Sequence, residues 1–391
     1  MKILIAPNAF KGTLGPLAAG RAIARALKKL APGAKLELLP VSDGGDGLLE
    51  TFLFEYKGRG RRVLSVPGPL SKPVRARWVM AGDTAVIEMA EAAGLKYLLK
   101  KELAPLDATT FGVGKLIGAA VAAGARLVIV GLGGSASNDG GAGCAAGFGF
   151  RLLDKRGRPV PPGARGLLRL ERILPPASAA SLPRIRIIAL TDVDNPLTGP
   201  RGSARVYGPQ KGADPADVVV MEKALLHYAR VIKRELGIDI KDLKGGAAAG
   251  GLGAGLYAFF GARLTGGSDF VLKRMNFEAA VKRCDLVITG EGRFDEQSFS
   301  GKAPFMVARL ARSYKKPALM VCGSCAVEDL SSLKGCGISG VIALDTVLPL
   351  SELLGSPASA MTKGILLSSD IVARFLQPIK LPRRSGGRPL K

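Results

Sequence analysis

The chain has 391 residues, of which 47% are hydrophobic and 52 are glycine, a length that can bury a large core and that leads us to expect two domains. Its formal net charge of +24 comes from 56 basic against 32 acidic residues, spread along the chain and not interleaved with the 5% of aromatic residues. No stacking platform for nucleic acid is expected, and the glycines among recurring apolar runs point to tight loops rather than disorder.

In chain order, Lys2–Ala6 reads as a short apolar strand, followed by a loop and an amphipathic helix from Pro16 to Leu30 that Pro32-Gly33 stops. Strand-like runs recur at Leu36–Pro40, Arg126–Val130, Arg184–Leu190, Asp285–Thr289, Pro317–Cys322 and Ile338–Leu344, with a helical pattern over Val218–Leu236. Strands alternating with helices predict an α/β protein with parallel sheets covered on both faces. Lys2 leads straight into a strand, so no secretory leader is expected. The uncharged stretch Gly245–Ala262 is too rich in glycine for a membrane span. A soluble cytoplasmic protein is expected.

His227 is the one histidine, which excludes an H-E-x-x-H zinc site and leaves a histidine-based triad without support. Five cysteines show no paired-knuckle spacing, and Cys322-Gly-Ser-Cys325 is a lone C-x-x-C. Chemistry must therefore run on Asp, Glu, Lys and the backbone.

In open parallel sheets ligands sit beyond the carboxyl ends of the strands. Lys11, Asp43, Asp192, Asp194, Glu291 and Asp295 all follow predicted strands. Three Gly-rich segments carry carboxylates as well: Val41–Gly47, Gly131–Gly143 and Thr191–Gly212. Glycine lets backbone amides approach an anion, and Asp can hold a cation or take a proton, so the combination suits phosphate with a metal. Gly131-Leu-Gly133-Gly134-Ser135-Ala136 also fits a dinucleotide fingerprint, with Asp154 the candidate ribose acid. A nicotinamide-dependent oxidoreductase and a non-catalytic nucleotide or anion module stay open on these residues. Gly114-Lys115 and Gly301-Lys302 are followed by Leu116 and Ala303, so there is no Walker A loop, and neither H-R-D nor D-F-G occurs.

Collinear motifs then become recognisable: Ala6-Pro-Asn-Ala-Phe-Lys11-Gly12, Ser42-Asp43-Gly-Gly-Asp46-Gly47, Gly131 through Gly143, Asp192-Val-Asp-Asn-Pro-Leu197, Gly208-Pro-Gln-Lys-Gly-Ala213, Ala248 through Gly255, Thr289-Gly-Glu-Gly-Arg-Phe-Asp295 and Gly301-Lys-Ala-Pro304. With them the chain, from its first strand to about Ser324, resembles the bacterial type I glycerate kinase family. That resemblance implies a discontinuous flavodoxin-like domain from 1–67 and 282–391, with a second α/β domain, 68–281, inserted in it and the site in the cleft between them. It implies transfer of the γ-phosphoryl group of ATP to D-glycerate with Mg²⁺, giving 2-phosphoglycerate, the glycerate 3-kinase regiochemistry being the alternative. On this reading Asp192, Lys211, Glu291 and Asp295 are catalytic, with Asp192 the base. Lys11, Asp43 and Asn195 bind substrate, Gly133, Gly134, Ser135, Asn138 and Asp139 bind nucleotide, and Asp194 holds the metal. The chain departs from the family at Asn8-Ala9, where Asp-Ser is common, and at Asp46, where Glu is common. The tail 381–391 matches nothing in the family and reads as a disordered basic extension.

Overall fold

The computed structural model describes residues 1–176, 185–327 and 332–376, so the basic tail lies outside the described residues. In chain order the strands are β1 (Lys2–Pro7), β2 (Lys35–Leu38), β3 (Arg61–Pro67), β4 (Pro73–Ala81), β5 (Thr84–Glu88), β6 (Leu127–Gly131), β7 (Arg151–Leu153), β8 (Arg172–Leu174), β9 (Arg186–Leu190), β10 (Arg263–Thr265), β11 (Leu286–Phe294), β12 (Ala318–Cys325) and β13 (Gly340–Ala343).

The first sheet is all parallel, in the order β13-β12-β11-β1-β2. Counted within this sheet alone the order is 2-1-3-4-5, the flavodoxin-like winding, whose switch point lies between β1 and β11. Its strands are apolar on both faces because both are covered. Ile3 and Ile5 of β1 point into one core and Leu4 and Ala6 into the other, with β11 split in the same way between Leu286, Ile288 and Val287. The helix Pro16–Leu30 starts on its proline and carries Lys28 and Lys29 in its last turn. It buries Ala19, Ala22, Ile23, Ala26 and Leu27, a 3,4-spaced stripe, against that sheet.

The second sheet has the order β10-β9-β6-β5-β4-β3, parallel through β5 and antiparallel at β4 and β3. Val128 and Val130 of β6 face one core while Ile129 faces the other. The antiparallel arm was not expected from the sequence, where runs such as Arg75-Ala-Arg77-Trp78 carry too much charge to read as a buried strand. β3 lies inside the 1–67 segment expected for the first domain, yet it pairs with β4, so the second sheet begins before residue 68. β7 and β8 pair antiparallel as a separate two-stranded sheet.

The carboxyl ends of the two sheets meet. A Cβ at Gly133, after β6, would stand 2.5 Å from Gly45 Cα, and one at Gly267 would stand 2.0 Å from Asp43 O. Only glycine permits this approach. The Ser42–Gly47 loop of the first unit is thereby seated against the strand ends of the second.

Candidate active site

Asp43, Asp192 and Glu291 arrive at this junction from three strand ends, after β2, after β9 and on the last half of β11. Asp192 Oδ1 accepts the Gly267 amide at 2.7 Å and Oδ2 accepts the Ser268 hydroxyl at 2.8 Å, both from the first turn of the helix Gly267–Arg274. Burial pushes its carboxyl up to about 6, with the Asp43 charge adding to the rise and the Ser268 and Gly267 donors opposing it. Asp43 Oδ2 accepts Asn8 Nδ2 at 3.3 Å and Oδ1 accepts the Gly45 amide at 3.1 Å. Asn8 stands immediately beyond β1, at the switch point.

Glu291 is 5% exposed, and burial raises its carboxyl, with Lys302 opposing and Asp43 reinforcing. Its Oε2 lies 3.4 Å from Lys302 Nζ, while Oε1 is buried with no hydrogen-bond partner among the described residues. Lys302 Nζ also lies 3.7 Å from Asp295 Oδ1 and 3.4 Å from Ser298 Oγ. Asp295 is further paired with Arg293 at 3.5 Å. Lys302 is the N-cap residue of the helix Ala303–Ser313. It was not singled out from the sequence as a site residue, although the Gly301-Lys302 pair after Asp295 was the available signal. Asp43 is felt at both Asp192 and Glu291, so the three carboxylates share one electrostatic neighbourhood with one ammonium beside it.

Lys11 follows β1 and lines a cleft of ≈ 340 Å³ that also involves Asp46, Glu50, Trp78 and Glu88. A Cβ at Gly292 would stand 3.3 Å from Lys11 N, so the Lys11 backbone runs beside the end of β11 next to Glu291.

Other expected residues lie elsewhere. Asp194 is turned outward, with 58% of its side chain exposed and its Oδ1 3.0 Å from Arg201 Nη2. Asn195 donates to Arg201 O at 2.8 Å and accepts from Tyr207 Oη at 2.9 Å, which ties its loop to the helix Ser203–Tyr207. Lys211 is only 2% exposed, and its Nζ donates to Ser135 Oγ at 2.8 Å and Ser137 O at 2.6 Å. Burial brings it down to about 7, against the pull of Asp139. The Asn138 side chain is enclosed, accepting from Ser203 Oγ at 2.7 Å. Asp139 is fully buried and accepts from Thr109 Oγ1, from the amide and hydroxyl of Thr110, and from the amides of Gly141 and Gly143. Burial raises its carboxyl while those donors oppose it. Lys211, Asn138 and Asp139 are thus directed into the protein beneath the Gly-rich loop, which leaves Gly133 and Gly134 as its outward part. Asp154, the candidate ribose acid, instead closes a turn by accepting from the Arg156 and Arg158 amides at 2.8 and 2.9 Å. That position removes the residue a dinucleotide site would need.

Among the described residues no three His, Cys, Asp or Glu side chains converge as a metal site, and no helix is long and apolar enough to cross a membrane. The glycerate kinase family model matches residues 3–366. The chain is 42% identical to a glycerate kinase of Bacillus subtilis over 366 residues, 93% of this chain and 95% of that one. It is 41% identical to the Escherichia coli glycerate 2-kinase over 348 residues, 88% of this chain and 91% of that one. A crystal structure of a Salmonella typhimurium LT2 protein assigned as glycerate kinase 2 superposes with a TM-score of 0.78 at 37% identity, covering 96% of this chain and 98% of that one. With collinear matches of this extent, the chain belongs to the glycerate kinase family of phosphotransferases.

Proposed function

We propose that the protein transfers the γ-phosphoryl group of ATP to the 2-hydroxyl of D-glycerate at the junction of its two sheets, which we take as two domains. The carrying observation is the gathering of Asp43, Asp192 and Glu291 around one neighbourhood, with Lys302 beside Glu291. Phosphoryl transfer asks for cations around the moving group, a positioned hydroxyl and a proton acceptor. Asp192 is our base. Its carboxylate is the majority form above about pH 6, and the Gly267 and Ser268 donors fix its direction. As the substrate oxygen bonds to the γ-phosphorus and the bond from phosphorus to the ADP oxygen breaks, the hydroxyl proton passes to Asp192. Lys302 faces the charge on the transferred group, and Asp295 and Ser298 position it. Lys11 meets the glycerate carboxylate.

Mg²⁺ is held by one or two carboxylates together with substrate phosphates, so it does not require a protein-only cage. Glu291 Oε1, buried and without a hydrogen-bond partner among the described residues, and the half-buried Asp43 fit that demand better than the outward Asp194. When bound, the ion would neutralise phosphate charge. The backbone at Gly133 and Gly134 is our site for nucleotide phosphate. Five free cysteines suit a reducing cytoplasm. The name of the Escherichia coli relative favours 2-phosphoglycerate as product.

The test is ADP release from ATP with D-glycerate and MgCl₂, coupled to phosphorus NMR of the product. Turnover that needs both glycerate and the divalent ion, and is abolished by EDTA, is expected. An absence of glycerate-dependent ADP overturns the proposal, and a 3-phosphoglycerate signal overturns its regiochemistry.

A further inference from the structure

Lys211 takes no part in the transfer described above, yet its place is unusual for a lysine. It is 2% exposed and ends the single turn Pro209–Lys211. Its Nζ donates to two uncharged oxygens, Ser135 Oγ at 2.8 Å and Ser137 O at 2.6 Å. The charge it feels is that of Asp139, whose oxygens are already taken by Thr109, Thr110, Gly141 and Gly143. A buried ammonium held by uncharged oxygens alone is costly, and an anion brought near it lowers that cost.

The loop above it is tied from two sides. Leu95 N donates to Gly134 O and Ala136 N to Ala93 O, both at 2.9 Å, which lays residues 134–136 along the segment after β5. Lys211 fastens Ser135 and Ser137 from beneath. What remains free is a row of donors. The amides of Gly133, Gly134 and Ser135 donate to nothing among the described residues, and the Ser135 hydroxyl accepts from Lys211 without donating onward. Gly134 is exposed, so the row opens to solvent there.

Free backbone amides on consecutive residues of a Gly-rich loop suit an oxyanion, and a phosphate has enough oxygens to take several of them. A hydroxyl that accepts from an ammonium is polarised and donates more strongly. Asp46 also comes close, since a Cβ at Gly134 would stand 3.3 Å from Asp46 Oδ1. An anion at this loop thus meets one carboxylate, and the ammonium below offsets it.

We propose that Lys211 is a positioning residue for the nucleotide: it holds the Ser135 hydroxyl in place to donate, together with the Gly133, Gly134 and Ser135 amides, to a phosphate group. That this phosphate belongs to ATP rests on the function proposed above. Lys211 itself touches neither substrate.

Calorimetric titration of the intact protein with MgADP reads the contact without turnover. Ser135→Ala should raise the Kd for MgADP about tenfold, and KM for ATP by a similar factor, with KM for glycerate within about twofold of the parent. Lys211→Met should do the same in the parent background but add only about threefold or less in the Ser135→Ala background, because the ammonium acts through that hydroxyl. A lysine that merely fastens the fold would lower stability and leave the Kd for MgADP unchanged. An unchanged Kd in Ser135→Ala overturns the assignment, as do fully additive effects of the two substitutions or a parent protein that binds no MgADP. If Lys211→Met does not fold, Ser135→Ala against the parent decides alone. Glycerate-dependent ADP release in the parent tests the function separately. Turnover that Ser135→Ala leaves unchanged refutes the contact and spares the function, whereas MgADP binding that depends on Ser135 in a protein without turnover does the reverse.

Discussion

Asp139 and Asp43 sit in loops of similar composition, Ser137-Asn-Asp-Gly-Gly and Ser42-Asp-Gly-Gly-Asp, each beyond the carboxyl end of a strand. Asp139 is enclosed and takes hydrogen bonds from four residues, with the buried Lys211 among the charges it feels. Asp43 keeps partial exposure, holds one amide and one Asn8 amide group, and is felt by two further carboxylates. Saturation with internal donors makes a carboxylate a fastener, whereas incomplete saturation beside other acids leaves it available to a ligand.

The sharpest break of this contrast is Asp139→Ala. It strands several buried donors and should cost about 3–5 kcal/mol of stability in denaturant unfolding. A loss under about 1 kcal/mol would show that the enclosed network does not hold the loop.

Asp192→Asn should act on the opposite quantity. The amide can still accept from Gly267 and donate toward Ser268, so the fold should persist while kcat falls about a hundredfold, near 2.7 kcal/mol of barrier. In the parent, kcat should climb as pH rises through about 6, where the raised carboxyl of Asp192 loses its proton, and a stopped-time assay across pH 5 to 8, a window of about three units around that value, should show the step vanish in the variant. A retained step and near-parent kcat would move the proton acceptor elsewhere.

Lys302→Met removes the ammonium beside Glu291 and Asp295 and should lower kcat/KM for ATP roughly tenfold or more, with Lys302→Arg recovering part of it. Equal kcat/KM in Lys302→Met and the parent would leave Lys302 as a structural ion pair.

The last effect is expected at Lys211→Met, and it is one of stability. Burial holds the folded-state pKa near 7, below the unfolded value, so the unfolded chain binds the extra proton between the two. The parent should therefore gain stability as pH rises from about 7 to 9, and thermal melts of the variant should lack that gain. Parallel pH slopes would contradict a buried lysine.

The carboxylates after strands were legible because strand ends can be read from apolar runs, and Asp43 raises the carboxyls of both Asp192 and Glu291. The Gly-rich loop misled in its second half. Composition says that Asn138 and Asp139 are polar and flanked by glycine, but Thr109, Thr110 and Ser203, which enclose them, come from remote positions. Lys211 illustrates the same limit, since a lysine in a Gly- and Pro-shaped loop reads as exposed until the packing is known. The ion pair of Arg77 with Glu91 was invisible for another reason: Arg77 lies on β4 of the charged antiparallel arm, where no apolar run announces a strand, while Glu91 follows β5.

The seam between β1 and β11 has a consequence during synthesis. Lys2 N donates to Asp285 Oδ2 at 2.7 Å across 283 positions of chain. The amino-terminal strand leaves the ribosome first and pairs early with β2, but it must wait for nearly three quarters of translation before its second neighbour exists, because β11 begins at Leu286. The six-stranded sheet has every strand by Thr265, while β1 still offers one open edge. A product stalled before Leu286 therefore carries a finished inner sheet and a sticky outer strand, which makes truncated chains more prone to aggregate than to persist as soluble half-proteins.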